Sequence, residues 1–220
     1  MQERLFNYQR TGRYYLSTAP QDKPYYCWVF HGHGQRPDRF LSKFTALQRR
    51  DICFIAPEGL HRYYLSGMKG KTGVSWMTSE AREQDIEDYL GMLDAIRQEL
   101  SADETGQSQH FAIAFSQGVA TASRWAFIGN APFVSLTNWA SRLPPDLDYG
   151  QVAERCKQLD LHFVFPSGDE YLSETMRRAH LLDLEKAEVR FTQRVVPGKH
   201  RMDAQTLAVE VERLMPLKNL

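Results

Sequence analysis

The sequence predicts an α/β fold with a mostly parallel central sheet and helices on both of its faces. Strand-like apolar runs alternate with amphipathic helical segments along the chain. Runs such as 52–56 are apolar at every position, as in strands that helices cover on both sides. At 220 residues the chain is long enough for one three-layer domain, and no repeat or linker divides it. We therefore expect a single domain over 1–220, with ligands beyond the carboxyl ends of its strands.

The individual elements follow from hydrophobic periodicity and from turn residues between the runs. The predicted strands are 14–18, 25–30, 52–56, 111–115, 133–137, 161–165 and 189–196. The predicted helices are 39–50, 80–100, 116–128, 152–159, 173–186 and 204–215. In the second helix, apolar side chains from Ile86 to Leu100 share one face, and Thr78 or Ser79 is expected to cap it.

The charge pattern argues against nucleic acid and membrane partners. Lys and Arg number 27, Asp and Glu number 27, and no block of like charge stands out. The longest apolar runs have about five residues, against the roughly 20 that a membrane span needs. We therefore expect no nucleic acid, no membrane span and a small-molecule substrate, and homodimerisation stays open.

The cysteines and the first residues indicate a cytoplasmic protein. Cys27, Cys53 and Cys156 are odd in number and widely spaced, which argues against a disulfide framework or a zinc site. No apolar stretch follows the initial Met-Gln-Glu-Arg, so no signal peptide is expected.

Ser116 stands where a predicted strand turns directly into a predicted helix. Such a sharp turn pushes a serine hydroxyl out of the sheet, and it requires small residues two positions before and after the serine. Ala114 and Gly118 satisfy that requirement. The pattern predicts that Ser116 is a nucleophile.

A serine nucleophile needs a base and an acid that orients the base, and both follow later strands. Asp169 lies on the loop after strand 161–165 and is the predicted acid, with its neighbour Glu170 as the alternative. His200 lies on the loop after strand 189–196 and is the predicted base. His162 and His180 lie within predicted elements and are interpreted as packing or surface residues.

An oxyanion hole needs backbone N–H donors near the nucleophile. The residue after the serine, Gln117, is expected to supply one, and the glycine-rich loop His31-Gly32-His33-Gly34 the other. His31 and His33 are two residues apart, as in some metal sites. No acidic or cysteine partner stands near them in the sequence, since Asp38 is the nearest carboxylate. We therefore expect no metal.

These motifs resemble the phospholipase/carboxylesterase family of α/β-hydrolases, which includes the acyl-protein thioesterases. The resemblance spans about residues 25–203 and rests on five short motifs. They are His31-Gly32-His33-Gly34, Ala56-Pro57-Glu58, Ala114-Phe115-Ser116-Gln117-Gly118, Gly168-Asp169-Glu170 and Gly198-Lys199-His200. It implies an α/β-hydrolase fold, a triad of Ser116, Asp169 and His200, oxyanion donors at His33 and Gln117, and ester or thioester hydrolysis without a cofactor.

The chain departs from the family at three places. The small residue two positions before the serine is Ala114, where glycine is usual. The spacing around Asp169 is compressed, and Trp139 lies where small residues are usual.

The segment 58–78 is predicted to be a flap over the site. Tyr63, Met68, Trp76 and, from outside the segment, Trp139 are the tentative substrate contacts. The alternative is that these side chains only attach a long loop to the core. Lys69 and Lys71 would meet an anionic leaving group or, as is more usual for lysines, face solvent.

The expected function is therefore a serine hydrolase that cleaves carboxylic esters through a Ser-Asp-His triad and an acyl-enzyme, similar to an esterase, a lysophospholipase or a thioesterase. A thioesterase or deacylase of acylated proteins is the alternative. A non-catalytic binding protein of the same fold is a third hypothesis.

Overall fold

The computed structural model describes residues 1–21, 23–103 and 108–215. Seven strands form one sheet in the order β1-β3-β2-β6-β7-β8-β9, and β4 pairs with β5 in a separate hairpin. The strands are β1 (Tyr14–Leu16), β2 (Tyr25–Phe30), β3 (Ile52–Pro57), β4 (His61–Tyr64), β5 (Thr72–Ser75), β6 (Gln109–Phe115), β7 (Phe133–Trp139), β8 (Asp160–Pro166) and β9 (Thr192–Val196).

From β3 to β9 the neighbouring strands of the large sheet are parallel, and β1 joins the edge antiparallel to β3. All parallel strands therefore end at the same edge. The predicted, mostly parallel sheet is confirmed.

Helices cover both faces of the sheet. They are α1 (Pro37–Thr45), α2 (Arg82–Leu100), α3 (Gln117–Ile128), α4 (Tyr149–Arg155), α5 (Glu174–Lys186) and α6 (Ala204–Leu214). On one face α2, α3, α4 and α5 enclose the larger apolar cluster, and on the other α1 and α6 enclose the smaller one. Strand β6 serves both clusters, because Phe111 and Ile113 face α1 and α6 while Ala112 and Ala114 face the opposite side. Within the described ranges, no helix combines the length and the apolar character needed to cross a bilayer.

Several element boundaries differ from the predicted ones for local reasons. Helix α4 begins at Tyr149 instead of 152, because the Asp148 carboxylate accepts hydrogen bonds from the first-turn N–H groups. Strand β9 begins at Thr192 instead of 189, because the Val189 N–H donates to the Leu184 carbonyl and so completes the end of α5. Helix α2 begins after Ala81 without a side-chain cap, so the expected cap at Thr78 or Ser79 is wrong.

The segment 58–78, predicted as a flap without assigned strands, contains a β-hairpin. Strand β4 pairs with β5 from His61 opposite Ser75 to Tyr64 opposite Thr72. The hairpin is fixed to the loop after β2, because the Gly34 N–H donates to the Val74 carbonyl at 2.8 Å. A Cβ at Gly73 would lie 2.6 Å from the Gly34 carbonyl oxygen, so only glycine permits this approach.

The turn from β6 into α3 also depends on a close backbone approach. A Cβ at Gly118 would lie 2.5 Å from the Phe30 carbonyl oxygen and 2.7 Å from that of His31. Both obstacles are backbone atoms at the end of β2, and they have no rotamer through which to move. The glycine therefore lets α3 start directly against the strand.

We expect Gly118→Ala to lower the free energy of unfolding by about 1–3 kcal/mol, as overpacking of a rigid site does. Gly91→Ala is the matched control, because Gly91 lies in α2 with no atom near its missing Cβ. The control should gain about 0.5–1 kcal/mol from helix propensity. Urea unfolding of both variants measures the difference, and equal stabilisation by the two alanines would contradict the clash.

Candidate active site

Ser116 lies at the tip of a strained turn at the carboxyl end of β6. Its backbone has φ 54° and ψ −119°, a conformation that residues other than glycine seldom adopt. The turn is held because the Ser116 N–H donates to the Trp139 carbonyl at 3.0 Å. A Cβ at Gly32 would lie 3.2 Å from the Ser116 Cβ, so the loop after β2 runs directly beside the serine.

The imidazole of His200 reaches this serine. His200 Nε2 lies 2.8 Å from Ser116 Oγ, across 84 residues of sequence. The other ring nitrogen, Nδ1, lies 2.8 Å from Asp169 Oδ2 and 3.0 Å from Oδ1. The three residues that the sequence selects are therefore connected by hydrogen bonds in the order serine, histidine, aspartate.

The Asp169 carboxylate is almost completely enclosed, with its side chain 1% exposed. Its Oδ1 also accepts hydrogen bonds from the N–H groups of Tyr171 at 2.8 Å and Leu172 at 3.0 Å. A buried carboxylate with this many donors keeps its orientation, because each bond lost would leave a polar group unsatisfied.

Glu170 has a different position. Its Oε2 accepts from the backbone N–H of His200 at 3.0 Å, and its Oε1 lies 3.5 Å from Lys199 Nζ. The backbone N–H bond of His200 is the first cause that holds the Glu170 pKa below its ordinary value. The carboxylate thus binds the main chain of the histidine loop, while Asp169 contacts the ring.

Backbone contacts between the two loops bring Asp169 and His200 together. The Ser167 N–H donates to the Val196 carbonyl and the Gly168 N–H to the Gly198 carbonyl, both at 2.8 Å. Gly198 has φ 134°, a conformation that favours glycine. The Gly-Asp and Gly-Lys-His motifs are therefore the two sides of one loop pair.

Two aromatic rings pack against the imidazole, and the sequence motifs assign a role to neither of them. The His200 ring lies 5.0 Å from the buried Phe115 ring and 4.7 Å from that of Tyr171, centroid to centroid. Tyr171 is 75% exposed. The signal that the sequence offers for Tyr171 is an aromatic residue two positions after the predicted acid.

His33 and Gln117 directly follow Gly32 and Ser116, the two residues whose Cβ positions lie 3.2 Å apart. In the loop after β2, the Gly32 N–H donates to Gln35 Oε1, and the Gln35 N–H donates to the Gly32 carbonyl. The Gly34 N–H donates to the Val74 carbonyl. No such bond is made by the N–H of His33, nor by that of Gln117 at the start of α3, within the part of the chain that the structure describes. These two N–H groups are therefore free to donate to a ligand.

The side chain of Gln117 connects the nucleophile turn to the hairpin. Its Oε1 accepts from the Trp76 N–H at 3.1 Å, and its Nε2 donates to the Met77 carbonyl at 2.9 Å. From the other side, the Tyr63 hydroxyl lies 2.7 Å from His33 Nε2. The hairpin 61–75 is thus fixed at the rim of the site by both predicted oxyanion residues.

His31 is a structural residue of the same loop. It is completely buried and stacks on Trp76 with the ring centroids 4.8 Å apart. Its Nε2 accepts from the Gly59 N–H at 3.1 Å, so the proton lies on Nδ1 and is donated to the Gly32 carbonyl at 2.8 Å. Burial lowers the pKa of His31 to about 4, and the ring is neutral near pH 7.

Both tryptophans predicted to contact substrate lie in the core, and that prediction needs correction. Trp139 is the last residue of β7 and is completely buried in the cluster beneath α6. Trp76 is completely buried as well, and its Nε1 donates to the His31 carbonyl at 2.8 Å. Met68 lies at the hairpin tip and is 91% exposed, while Tyr63 is half-buried against His33.

Among the residues that the structure describes, no group of three or more His, Cys, Asp or Glu side chains has the spacing of a metal site. Cys27, Cys53 and Cys156 are buried free thiols.

No family model matches the chain, and no curated protein matches it. Among solved structures, the acyl-protein thioesterase 2 of Zea mays is 15% identical with TM-score 0.66, covering 92% of this chain and 99% of that one. The Bacillus cereus carboxylesterase is 12% identical with TM-score 0.66 and coverage of 93% and 95%. Esterase PE8 is 15% identical with TM-score 0.65 and coverage of 93% and 99%. The chain has the α/β-hydrolase fold that the sequence motifs imply.

The burial of His31 predicts a pH-dependent stability. The unfolded imidazole has a pKa of about 6.5, so between pH 6.5 and pH 4 the unfolded chain binds a proton that the folded chain excludes. The free energy of unfolding therefore falls as the pH falls through this window. His31 should contribute about 2 kcal/mol of that loss between pH 7 and pH 5.

Urea unfolding of wild type and His31→Gln at pH 7 and pH 5 measures this contribution. The glutamine should shrink the difference between the two pH values. An undiminished difference in His31→Gln would show that His31 is not held neutral by burial.

Proposed function

We propose that this chain is a serine hydrolase that cleaves carboxylic esters with Ser116, His200 and Asp169 as its catalytic triad. The observation that carries the proposal is the unbroken hydrogen-bond path from Ser116 Oγ through both ring nitrogens of His200 to the buried Asp169 carboxylate. The strained backbone of Ser116 supports it as well, because such strain concentrates at functional sites.

Acylation begins with attack of Ser116 Oγ on the ester carbonyl carbon. His200 Nε2 takes the hydroxyl proton, and Asp169 stabilises the imidazolium through Nδ1. As the tetrahedral intermediate collapses, the bond between carbonyl carbon and leaving oxygen breaks. His200 then passes its proton to that oxygen, which departs as an alcohol.

The developing negative oxygen needs donors that are fixed in advance. The free N–H groups of His33 and Gln117 meet that requirement, and one such donor is typically worth about 10²–10³ in rate. The hairpin contacts at His33 and Gln117 hold both donors in place. The Gln117 N–H also lies at the positive end of the α3 dipole.

Deacylation reverses the roles with water as the nucleophile. His200 removes a proton from the water as it attacks the acyl carbon, and returns it to Ser116 Oγ when the acid leaves. Apart from the substrate and water, every group that this cycle uses belongs to the protein, so the proposed reaction needs no cofactor.

Thioester hydrolysis is the second candidate, because the same machinery acts on either leaving atom and one structural neighbour is an acyl-protein thioesterase. Measuring kcat/KM for esters and thioesters of the same acids, with acyl chains of graded length, would rank ester hydrolysis against thioester hydrolysis. A non-catalytic binding protein would have no need of a hydrogen-bonded triad, and absence of any Ser116-dependent turnover would favour it.

The assignment of the acid gives a sharp kinetic test. On 4-nitrophenyl acetate, Asp169→Asn should lower kcat on the order of 10⁴-fold, because the amide favours the wrong histidine tautomer. Glu170→Gln should cost far less, since Glu170 contacts only the backbone of His200.

Ser116→Ala gives the baseline without the nucleophile in the same assay, which retains the contribution of the oxyanion donors. Equal losses in the two acid variants, or a larger loss in Glu170→Gln, would overturn the assignment. Turnover of Ser116→Ala at close to the wild-type rate would overturn the proposed function itself.

A further inference from the structure

We propose that Tyr171 binds the alcohol half of the ester and favours alcohols that carry an aromatic ring. Tyr171 lies two residues after Asp169, on the loop that follows β8. Its ring centroid lies 4.7 Å from that of His200, and the two ring planes meet at 68°. This inference rests on the proposed ester hydrolysis, because it names the class of ester that the same site takes.

The two rings that contact His200 differ in their exposure to solvent. Phe115 is buried and belongs to the apolar cluster beneath α1 and α6. Tyr171, by contrast, is 75% exposed. Contact with the imidazole covers only the part of the tyrosine that faces His200, so most of the ring is open to a bound molecule.

The backbone of the loop fixes the Tyr171 ring in this position. The Tyr171 N–H donates to Asp169 Oδ1 at 2.8 Å, and the next N–H, that of Leu172, donates to the same oxygen at 3.0 Å. Leu172 is buried in the larger apolar cluster, so the chain is fixed directly after the tyrosine. A ring that is already held in place loses little entropy when a ligand covers it.

The proposed mechanism places the alcohol half of the substrate beside this ring. The carbonyl oxygen faces the donors His33 and Gln117, and the carbonyl carbon is bonded to Ser116 Oγ. The departing oxygen comes within hydrogen-bond distance of His200 Nε2, which gives it the proton. The first carbon atoms of the alcohol therefore lie next to the imidazole, and Tyr171 is the exposed side chain that packs against that imidazole.

The charges near Tyr171 favour a neutral partner. The adjacent residue is Glu170, whose carboxylate lies 3.5 Å from Lys199 Nζ and accepts the backbone N–H of His200. The negative charge beside the ring is therefore balanced, which weakens the attraction for a cationic alcohol. A neutral aromatic alcohol gains an offset or edge-to-face contact with the tyrosine, which adds about three- to tenfold in affinity beyond the area that it buries.

The test compares benzyl acetate with cyclohexylmethyl acetate. Both esters form the same acetyl-enzyme and release a primary alcohol of similar size, so a difference in kcat/KM arises from the alcohol half during acylation. The ratio of the two kcat/KM values should be about three- to tenfold higher in the wild type than in Tyr171→Leu. Tyr171→Phe should keep the wild-type ratio, because it keeps the ring.

Tyr8→Leu is the matched control for this comparison. Tyr8 is similarly exposed, but it precedes β1 at the edge of the sheet remote from β8, so its loss should leave the ratio unchanged. Since each variant is judged by a ratio, a loss of rate common to both esters, as a loosened His200 would cause, cancels. An equal ratio in the wild type and Tyr171→Leu would overturn the inference.

A second pair of esters tests whether the ring binds a cation instead. Acetylcholine and 3,3-dimethylbutyl acetate have similar shapes and differ in the charge of the alcohol half. We expect Tyr171→Leu to change the kcat/KM ratio of this pair less than it changes the benzyl ratio. A larger change in this pair would mean that Tyr171 recognises a quaternary ammonium through a cation–π contact, and the aromatic assignment would be wrong.

A binding measurement separates this inference from the proposed function. If neither ester is hydrolysed in a Ser116-dependent manner, the ester reaction fails, and NMR titration of the isotope-labelled protein with benzyl alcohol tests Tyr171 alone. Amide shifts at residues 169–172 that exceed those caused by cyclohexylmethanol, and that Tyr171→Leu loses, support the contact. Equal shifts with the two alcohols, shifts that persist in Tyr171→Leu, or no shifts at all overturn it.

Discussion

The strained turn at Ser116 is the constraint on which the rest of the site depends. Its positive φ turns the chain sharply from β6 into α3 and leaves the hydroxyl at the carboxyl edge of the sheet. The turn closes only because neighbouring backbones come unusually near, at Gly118 against the end of β2 and at Gly32 against the serine. A residue in this conformation costs about 1–3 kcal/mol, which the surrounding core must offset.

That core is arranged so that four loops meet at one edge. The loops after β2, β6, β8 and β9 carry the proposed oxyanion donor His33, the serine, Asp169 and His200 respectively. A backbone hydrogen bond from Gly168 to Gly198 joins the loops after β8 and β9, and one from Ser116 to Trp139 fixes the serine turn to the end of β7. Burial of Asp169 with its donors satisfied then fixes the imidazole, and Phe115 and Tyr171 enclose the ring on two sides. The short distances of the proposed triad are thus a consequence of sheet topology.

Sequence patterns predicted the residues that this topology brings together, because strand order and loop position depend on local periodicity. The patterns failed where the position of a side chain depends on whether a strand continues for one or two more residues. Ending β7 at residue 137 made Trp139 look like a loop residue, but the strand continues through Trp139 and turns its ring into the core. The hairpin in 58–78 was missed because its strands are short and its pairing is fixed by Gly34, far away in sequence.

The central claim is that Ser116 is a nucleophile activated by His200. Its most direct test is covalent labelling with a fluorophosphonate at pH 7.5, with the adduct located by mass spectrometry. The account predicts stoichiometric labelling at Ser116 in the wild type and labelling slowed by several orders of magnitude in His200→Ala. Labelling at a different serine, or equally fast labelling of Ser116 in His200→Ala, would contradict it.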